Sequence, residues 1–292
     1  MSYNRRKFLK DTAGIGSGLA FASMTGITLA GCDLFDDKIN PFGLQLYTLR
    51  DVLPANPKEV LKQVASYGYN QIESYEGNDG MFWGMGNKGF RQFIDDLGMT
   101  LVASHCDVSK DFERKANEAA EVGIKHLYCP WKGPQPTIDH FKKIADEFNA
   151  YGEICRKSGI RFGYHNHDYS FKEIEGQIPQ DVLMNNTDPA LVDYEMDIYW
   201  VVTAGQDPIS WFKKYPGRFK SSHIKDRSST PEKDNGKNSV DLGTGTIDFK
   251  SILKAGSKNS LDYYFVEQEA YPGGSSLKAV ENNAGYMKKL KI

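Results

Sequence analysis

The strongest constraint on this chain is a repeat: a short apolar or β-branched run, a polar loop and an amphipathic helix recur from Asn40 to the C-terminus. Strands are predicted near Gly43–Thr48, Gln71–Ser74, Thr100–Ser104, His126–Cys129, Arg161–His165, Val192–Asp197, Lys220–Ile224 and Tyr263–Glu267. Helices are predicted near Lys58–Tyr67, Gly89–Leu97, Lys110–Val122, Thr137–Lys157, Pro179–Met184, Pro208–Lys214, Phe249–Lys254 and Ser275–Lys289. Alternating strands and helices imply a parallel sheet with right-handed crossovers. Eight such units in about 250 residues are the size of a single closed (β/α)8 barrel, the TIM-barrel class of α/β fold. Gly68, Gly98, Gly123 and Gly159 each follow a helix and precede a strand, where the left-handed cap conformation is needed. The rival architecture is an open doubly wound sheet, but no GxGxxG follows the first strand.

The N-terminus reads differently. Asn4-Arg5-Arg6-Lys7-Phe8-Leu9-Lys10 precedes an uncharged run from Thr12 to Gly31, rich in Gly, Ala, Ser and Thr. Residues 1–31 are expected to be a signal peptide, because the run is too weakly apolar for a good membrane span. The arginine pair resembles a twin-arginine export signal, and Leu29-Ala30-Gly31-Cys32 resembles a lipoprotein box. That resemblance implies an exported, periplasmic protein held to the membrane only through a lipid on Cys32. Residues 32–40 are then a linker, and 41–292 the barrel. Cys106, Cys129 and Cys155 remain; their odd number and lack of a CxxC pair read as buried free thiols.

The 292 residues are 40% hydrophobic and 25% charged, with a formal charge of −2 and both signs interspersed, as in an ordinary globular domain. No basic stripe stands out, which argues against nucleic acid as a partner.

In a barrel, side chains at the C-terminal strand ends meet at one mouth. The third predicted strand ends in Ser104-His105-Cys106-Asp107 and the fifth in Tyr164-His165-Asn166-His167-Asp168. The sixth ends in Tyr194-Glu195-Met196-Asp197, the seventh in Ser222-His223-Ile224-Lys225-Asp226 and the eighth in Phe265-Val266-Glu267-Gln268-Glu269. Each residue alone has a bland explanation: a hydrogen-bonded His, a helix N-cap at Asp197, a rim carboxylate paired with a Lys. Four consecutive strands ending in groups that can bind a metal point to a metal site.

These motifs resemble the xylose-isomerase-like barrel family of sugar isomerases and epimerases, which also contains inosose and dehydroshikimate dehydratases and endonuclease IV. The resemblance covers nearly all of the chain after Asn40. It is strongest in Gly163-Tyr164-His165-Asn166-His167-Asp168, Tyr194-Glu195-Met196-Asp197-Ile198-Tyr199-Trp200, Tyr215-Pro216-Gly217-Arg218-Phe219 with His223-Ile224-Lys225-Asp226, and Phe265-Val266-Glu267-Gln268. It implies one divalent metal held by strands five to eight, most often by Glu, Asp, His and Glu. Asp197, His223 and Glu267 match, while His165 stands in the first place; His167, two residues on and facing the same way, is the alternative. Two imidazoles favour Mn, Co, Fe or Zn over Mg or Ca.

The family's epimerases use a pair of glutamates, and the fifth-strand member is missing here, which shifts weight toward an isomerase, dehydratase or lyase. Glu267, His167 and His105 are candidate proton carriers, and Lys132 is a candidate to hold a substrate oxygen. Glu73, Trp131, Trp200 and Lys225 are candidates for the substrate-binding wall. The expectation is a sugar isomerase or epimerase acting through an enediolate on a free sugar or keto-sugar. A 3-keto-glycoside lyase or hydratase, an inosose-type dehydratase and a non-catalytic sugar-binding lipoprotein are the alternatives, and homodimers are a common state for such barrels.

Overall fold

The computed structural model describes residue 39 and residues 41–229 and 238–292, so the export segment and Cys32 lie outside the described residues. Eight parallel strands close into a barrel: β1 (Gly43–Gln45), β2 (Gln71–Tyr75), β3 (Thr100–His105), β4 (His126–Cys129), β5 (Arg161–His165), β6 (Val192–Asp197), β7 (Phe219–Ile224) and β8 (Tyr263–Val266). Each strand pairs with its neighbours in chain order, and β1 closes the ring on β8. The (β/α)8 expectation therefore holds, and the open sheet is set aside.

The outer layer comprises α1 (Pro57–Ser66), α2 (Asn87–Asp96), α3 (Phe112–Glu121), α4 (Ile138–Lys157), α5 (Pro179–Asn186), α6 (Ile198–Thr203), α7 (Pro208–Lys214), α8 (Phe249–Ser257) and α9 (Ser276–Met287). The helix–strand joints are as read: Gly68, Gly98, Gly123 and Gly159 have φ of 95°, 70°, 81° and 78°. No helix of the described residues is long and apolar enough to cross a membrane. Cys106, Cys129 and Cys155 are buried free thiols.

Strand alternation sorts the side chains into two cores. Leu44, Ile72, Leu127, Phe162, Tyr164, Val192, Met196 and Ile224 belong to the main core cluster with apolar side chains of the helices. Val102, Ala103, Tyr128 and Phe265 form a separate cluster inside the barrel. Two glycines make room for its large rings. A Cβ on Gly163 would lie 2.2 Å from Tyr128 Cε1, and one on Gly43 would lie 2.4 Å from Phe265 Cδ1. The same alternation puts every second residue of the upper strands on the barrel axis, which is how polar side chains come to be deeply buried there.

Most element ends differ from the prediction by only a residue or a few, and two larger differences have a local cause. The first strand stops at Gln45, because the Gln45 side chain accepts from Tyr47 N and turns Leu46–Leu49 into a 3-10 helix. The helix Ile198–Thr203 was not predicted, because a run of five apolar and aromatic residues and a Thr directly after a strand carries no helical period of its own.

Candidate metal centre and cavity

His165, Asp197, His223 and Glu267 come from β5, β6, β7 and the residue after β8, and they meet at the C-terminal end of the barrel. Register aligns them: Asp197 stands opposite His223, and His165 opposite Glu195. Asn166 locks the β5 end to the β6 end. Its Oδ1 accepts from Asp197 N at 3.1 Å and its Nδ2 donates to Asp197 O at 3.2 Å. Asp197 Oδ1 accepts from Trp200 N and caps α6, so the N-cap role and a place in the cluster belong to the same side chain.

The four groups fit a cation. His165 Nε2 lies 3.1 Å from His223 Nδ1, and His223 Nδ1 lies 3.1 Å from Glu267 Oε2. Asp197 Oδ2 lies 3.4 Å from His165 Nε2 and 3.8 Å from His223 Nδ1. Donors at about 2.0–2.1 Å from a tetrahedral ion are separated by roughly 3.3 Å, which these spacings approach. Asp197 Oδ2 is buried with no hydrogen bond of good geometry, and Lys225 Nζ at 3.0 Å balances its charge. Its lone pairs are thus turned toward the space between the four donors, where a cation would be held.

A second cluster lies against the first and shares His223: Glu73, His105, Glu195 and His223. Its chemistry differs. His223 Nε2 is 2.6 Å from Glu73 Oε2, and His105 Nε2 is 2.7 Å from Glu195 Oε2. Those are direct hydrogen bonds, too short for an ion between the partners. Gln45 Nε2 donates to the same Glu73 oxygen at 2.8 Å, and Ser221 Oγ donates to Glu195 Oε1 at 2.7 Å. The consequence is tautomeric. With Nε2 turned to Glu73, His223 presents Nδ1 to the first cluster; with Nε2 turned to Glu195, His105 keeps Nδ1 as its basic nitrogen.

Burial and charge set the protonation states. Burial and the neighbouring Glu195 push the Glu73 carboxyl up to about 8. Burial acts the same way on Glu195, Asp197 and Glu267, but neighbouring partners outweigh it and hold all three below the usual carboxylate range. The partners are His223, with a hydrogen bond from His105, for Glu195; Lys225, with hydrogen-bond contacts to His165 and His223, for Asp197; and Lys225 and His223 for Glu267. Burial lowers Lys225 and His223, yet the surrounding carboxylates raise both well above their ordinary values. Burial, with His165 and Lys225 nearby, drives His167 well below its ordinary value.

Above the clusters opens a cavity of about 720 Å³ lined by His105, His165, His167, Glu267, Glu269, Trp131 and Lys132, among others. Of the sequence candidates, His105, His167 and Glu267 reach it. Trp131 stands at its wall, edge-on to His167 at 4.5 Å. Lys132 lines it too, with its ammonium bound to Glu147 at 2.5 Å.

Three wall candidates need correction. Glu73 is fully buried in the second cluster, held by Gln45 and His223, and does not line the cavity. Lys225 is also fully buried, 3.0 Å from Asp197 and Glu267 and 2.6 Å from Glu269, so it balances the carboxylates and does not line the cavity. Trp200 is buried behind His167, with the Lys225 ammonium 5.0 Å from its ring. His165, not His167, joins the four-donor cluster; His167 faces rings of Trp131, Tyr169 and Trp200.

Glu195 was missed as a functional candidate. Its signal was present, since Asp193, Glu195 and Asp197 alternate along one strand and share its inner face.

Residues 61–290 match the family model for the xylose isomerase-like TIM barrel. The chain belongs to that family. Over 153 residues it is 31% identical to an inosose dehydratase from Lacticaseibacillus casei, a match covering 48% of this chain and 50% of that protein. The chain thus spans about half the length of the curated relatives it matches. A sugar phosphate isomerase/epimerase structure from Parabacteroides distasonis is 29% identical, with a TM-score of 0.72 over 84% of this chain and 92% of that one. A barrel from Mycobacterium smegmatis solved with magnesium has a TM-score of 0.63 at 14% identity, covering 85% of this chain and 95% of that one, a likeness of fold alone.

Proposed function

We propose that this protein is a divalent-metal-dependent enzyme that removes a proton from the carbon beside a carbonyl of a keto-sugar or inosose-like substrate. The observation that carries the reading is the spacing of His165, Asp197, His223 and Glu267, with an Asp197 oxygen that accepts no hydrogen bond of good geometry. A cation held there would supply Lewis-acid polarisation of adjacent substrate oxygens. Two imidazoles among four donors favour Mn, Co, Fe or Zn over Mg.

The remaining chemistry belongs to the chain. His105 lines the cavity, and Glu195 holds its Nε2 at 2.7 Å. His105 accepts the proton from carbon at its other nitrogen, and Glu195 stabilises the imidazolium. That imidazolium then returns the proton either to the neighbouring carbon, with the hydroxyl proton passing from one oxygen to the other, giving an isomer, or to the departing β-oxygen, which leaves as water, giving an elimination product. We favour elimination. The fifth strand offers His165 where an epimerase would need a carboxylate base, and the sequence similarity to inosose dehydratases agrees with it. The proposal includes export of the chain with a lipid on Cys32, tested by the mass of the N-terminal peptide from membrane extracts.

The test is reaction of keto-sugars and inososes with Mn-, Co- or Zn-loaded protein in deuterium oxide, read by NMR. Loss of a C–H signal with appearance of an alkene or deoxy-ketone product is expected, abolished by chelator. Activity indifferent to chelator contradicts the reading.

A further inference from the structure

Tyr47 and Trp131 are the exposed large hydrophobic residues among those described, at 40% and 54%, and both line the one cavity above the clusters. A single exposed ring is ordinary, but here both rings open onto the same concave site, where flat apolar faces can pack on a ligand. Tyr47 lies just after β1 and Trp131 just after β4, far apart around the eight-strand ring. Both are braced. Trp131 meets His167 edge-on at 4.5 Å and Tyr169 at 4.9 Å, and Tyr47 meets Tyr75 edge-on at 5.3 Å. Such aromatic pairs fix ring orientation before any ligand arrives.

The spacing from the donor cluster is informative. His165 and His167 rings are 4.9 Å apart, and His167 and Trp131 rings 4.5 Å apart. His167 therefore stands between the donor cluster and Trp131 in a chain of ring contacts, and Trp131 forms the outer wall of the same cavity. A cavity of about 720 Å³ also falls in the range that encloses drug-sized ligands.

Resting on the reading above, we propose that the substrate is a two-ring glycoside. The reacting ring lies over the donor cluster, and a second ring, a sugar or an aglycone, stacks on the face of Trp131. Sugar rings carry a C–H face that packs on indole, and aglycone rings stack on it directly.

The probes are glucose, myo-inositol, cellobiose and phenyl β-D-glucoside, titrated into metal-loaded protein by calorimetry. The two-ring probes are expected to bind at least tenfold more tightly than the single-ring ones. Trp131→Ala is expected to bring the two classes within about twofold of each other, and Trp131→Phe to restore part of the gap. Equal binding of both classes to the wild type, no binding of either two-ring probe, or an undiminished gap in Trp131→Ala would each overturn the inference. Metal content measured on the same samples separates the two claims. A two-ring preference in protein that binds no metal supports the subsite and refutes the proposed reaction.

Discussion

His223 turns Nε2 to Glu73, 2.6 Å away, and so presents Nδ1 to His165, Asp197 and Glu267. A hydrogen-bond partner behind a ligating histidine fixes its tautomer and ring orientation. Glu73→Gln keeps the shape and weakens that hold. Metal affinity is expected to fall about 10- to 100-fold, measured by competition with a chelating dye. Unchanged affinity would show that Glu73 does not orient the ligand.

His105 and Glu195 form the proton-handling pair. Removing a positioned general base costs about 10²–10⁴ in rate. His105→Ala is expected to lose activity in that range with metal content intact. Glu195→Gln is expected to lower kcat more than it raises KM, since Glu195 acts through His105 and is fully buried. A KM effect alone would assign the pair to binding.

Asn166 makes two hydrogen bonds to the Asp197 backbone from a buried side chain. Asn166→Ala leaves buried backbone groups unpaired, at a cost of about 1–3 kcal/mol. A lower melting temperature and weaker metal binding should appear together. Full stability would mean that the two strand ends hold each other without it.

Gly163 is required by Tyr128. A methyl group there would sit 2.2 Å from the ring, so Gly163→Ala forces Tyr128 or β5 to move. A loss of about 1–3 kcal/mol is expected from overpacking, read by urea unfolding. Wild-type stability would show that Tyr128 has an alternative rotamer within the barrel.

At the opposite end of the barrel, Asp193 pairs with Arg161 at 2.8 Å and His126 at 3.1 Å. Burial raises the Asp193 carboxyl, but Arg161 and His126 outweigh it and hold it below its ordinary value. A carboxyl lowered on folding stabilises the fold above its unfolded value, near pH 4, and that contribution is lost as pH falls through the folded value. Asp193→Asn should flatten the fall in melting temperature below about pH 4. An unchanged acid slope would exclude Asp193 as a cause.

How much of this was legible in the sequence follows from strand geometry. Strand ends and side-chain alternation are local properties, so His165, Asp197, His223 and Glu267 could be placed on one rim by counting. Depth is not local. It depends on register, and β3 and β7 each shift against a neighbour, next to Glu73 and Glu195. Counting alone therefore left Glu73 and Lys225 in the wall when the closed barrel buries both, and it passed over Glu195 although Asp197 follows it by two. Trp131 was recognisable as a wall residue, but its exposure appeared only once the neighbouring loops were in place.

The most direct test is metal stoichiometry. Wild-type protein loaded with Mn, Co or Zn, desalted and measured by elemental analysis should hold one ion per chain. Asp197→Ala and His223→Ala should each hold almost none while keeping wild-type circular dichroism. A metal-free wild type after every loading, or a full equivalent in either variant, would contradict the account.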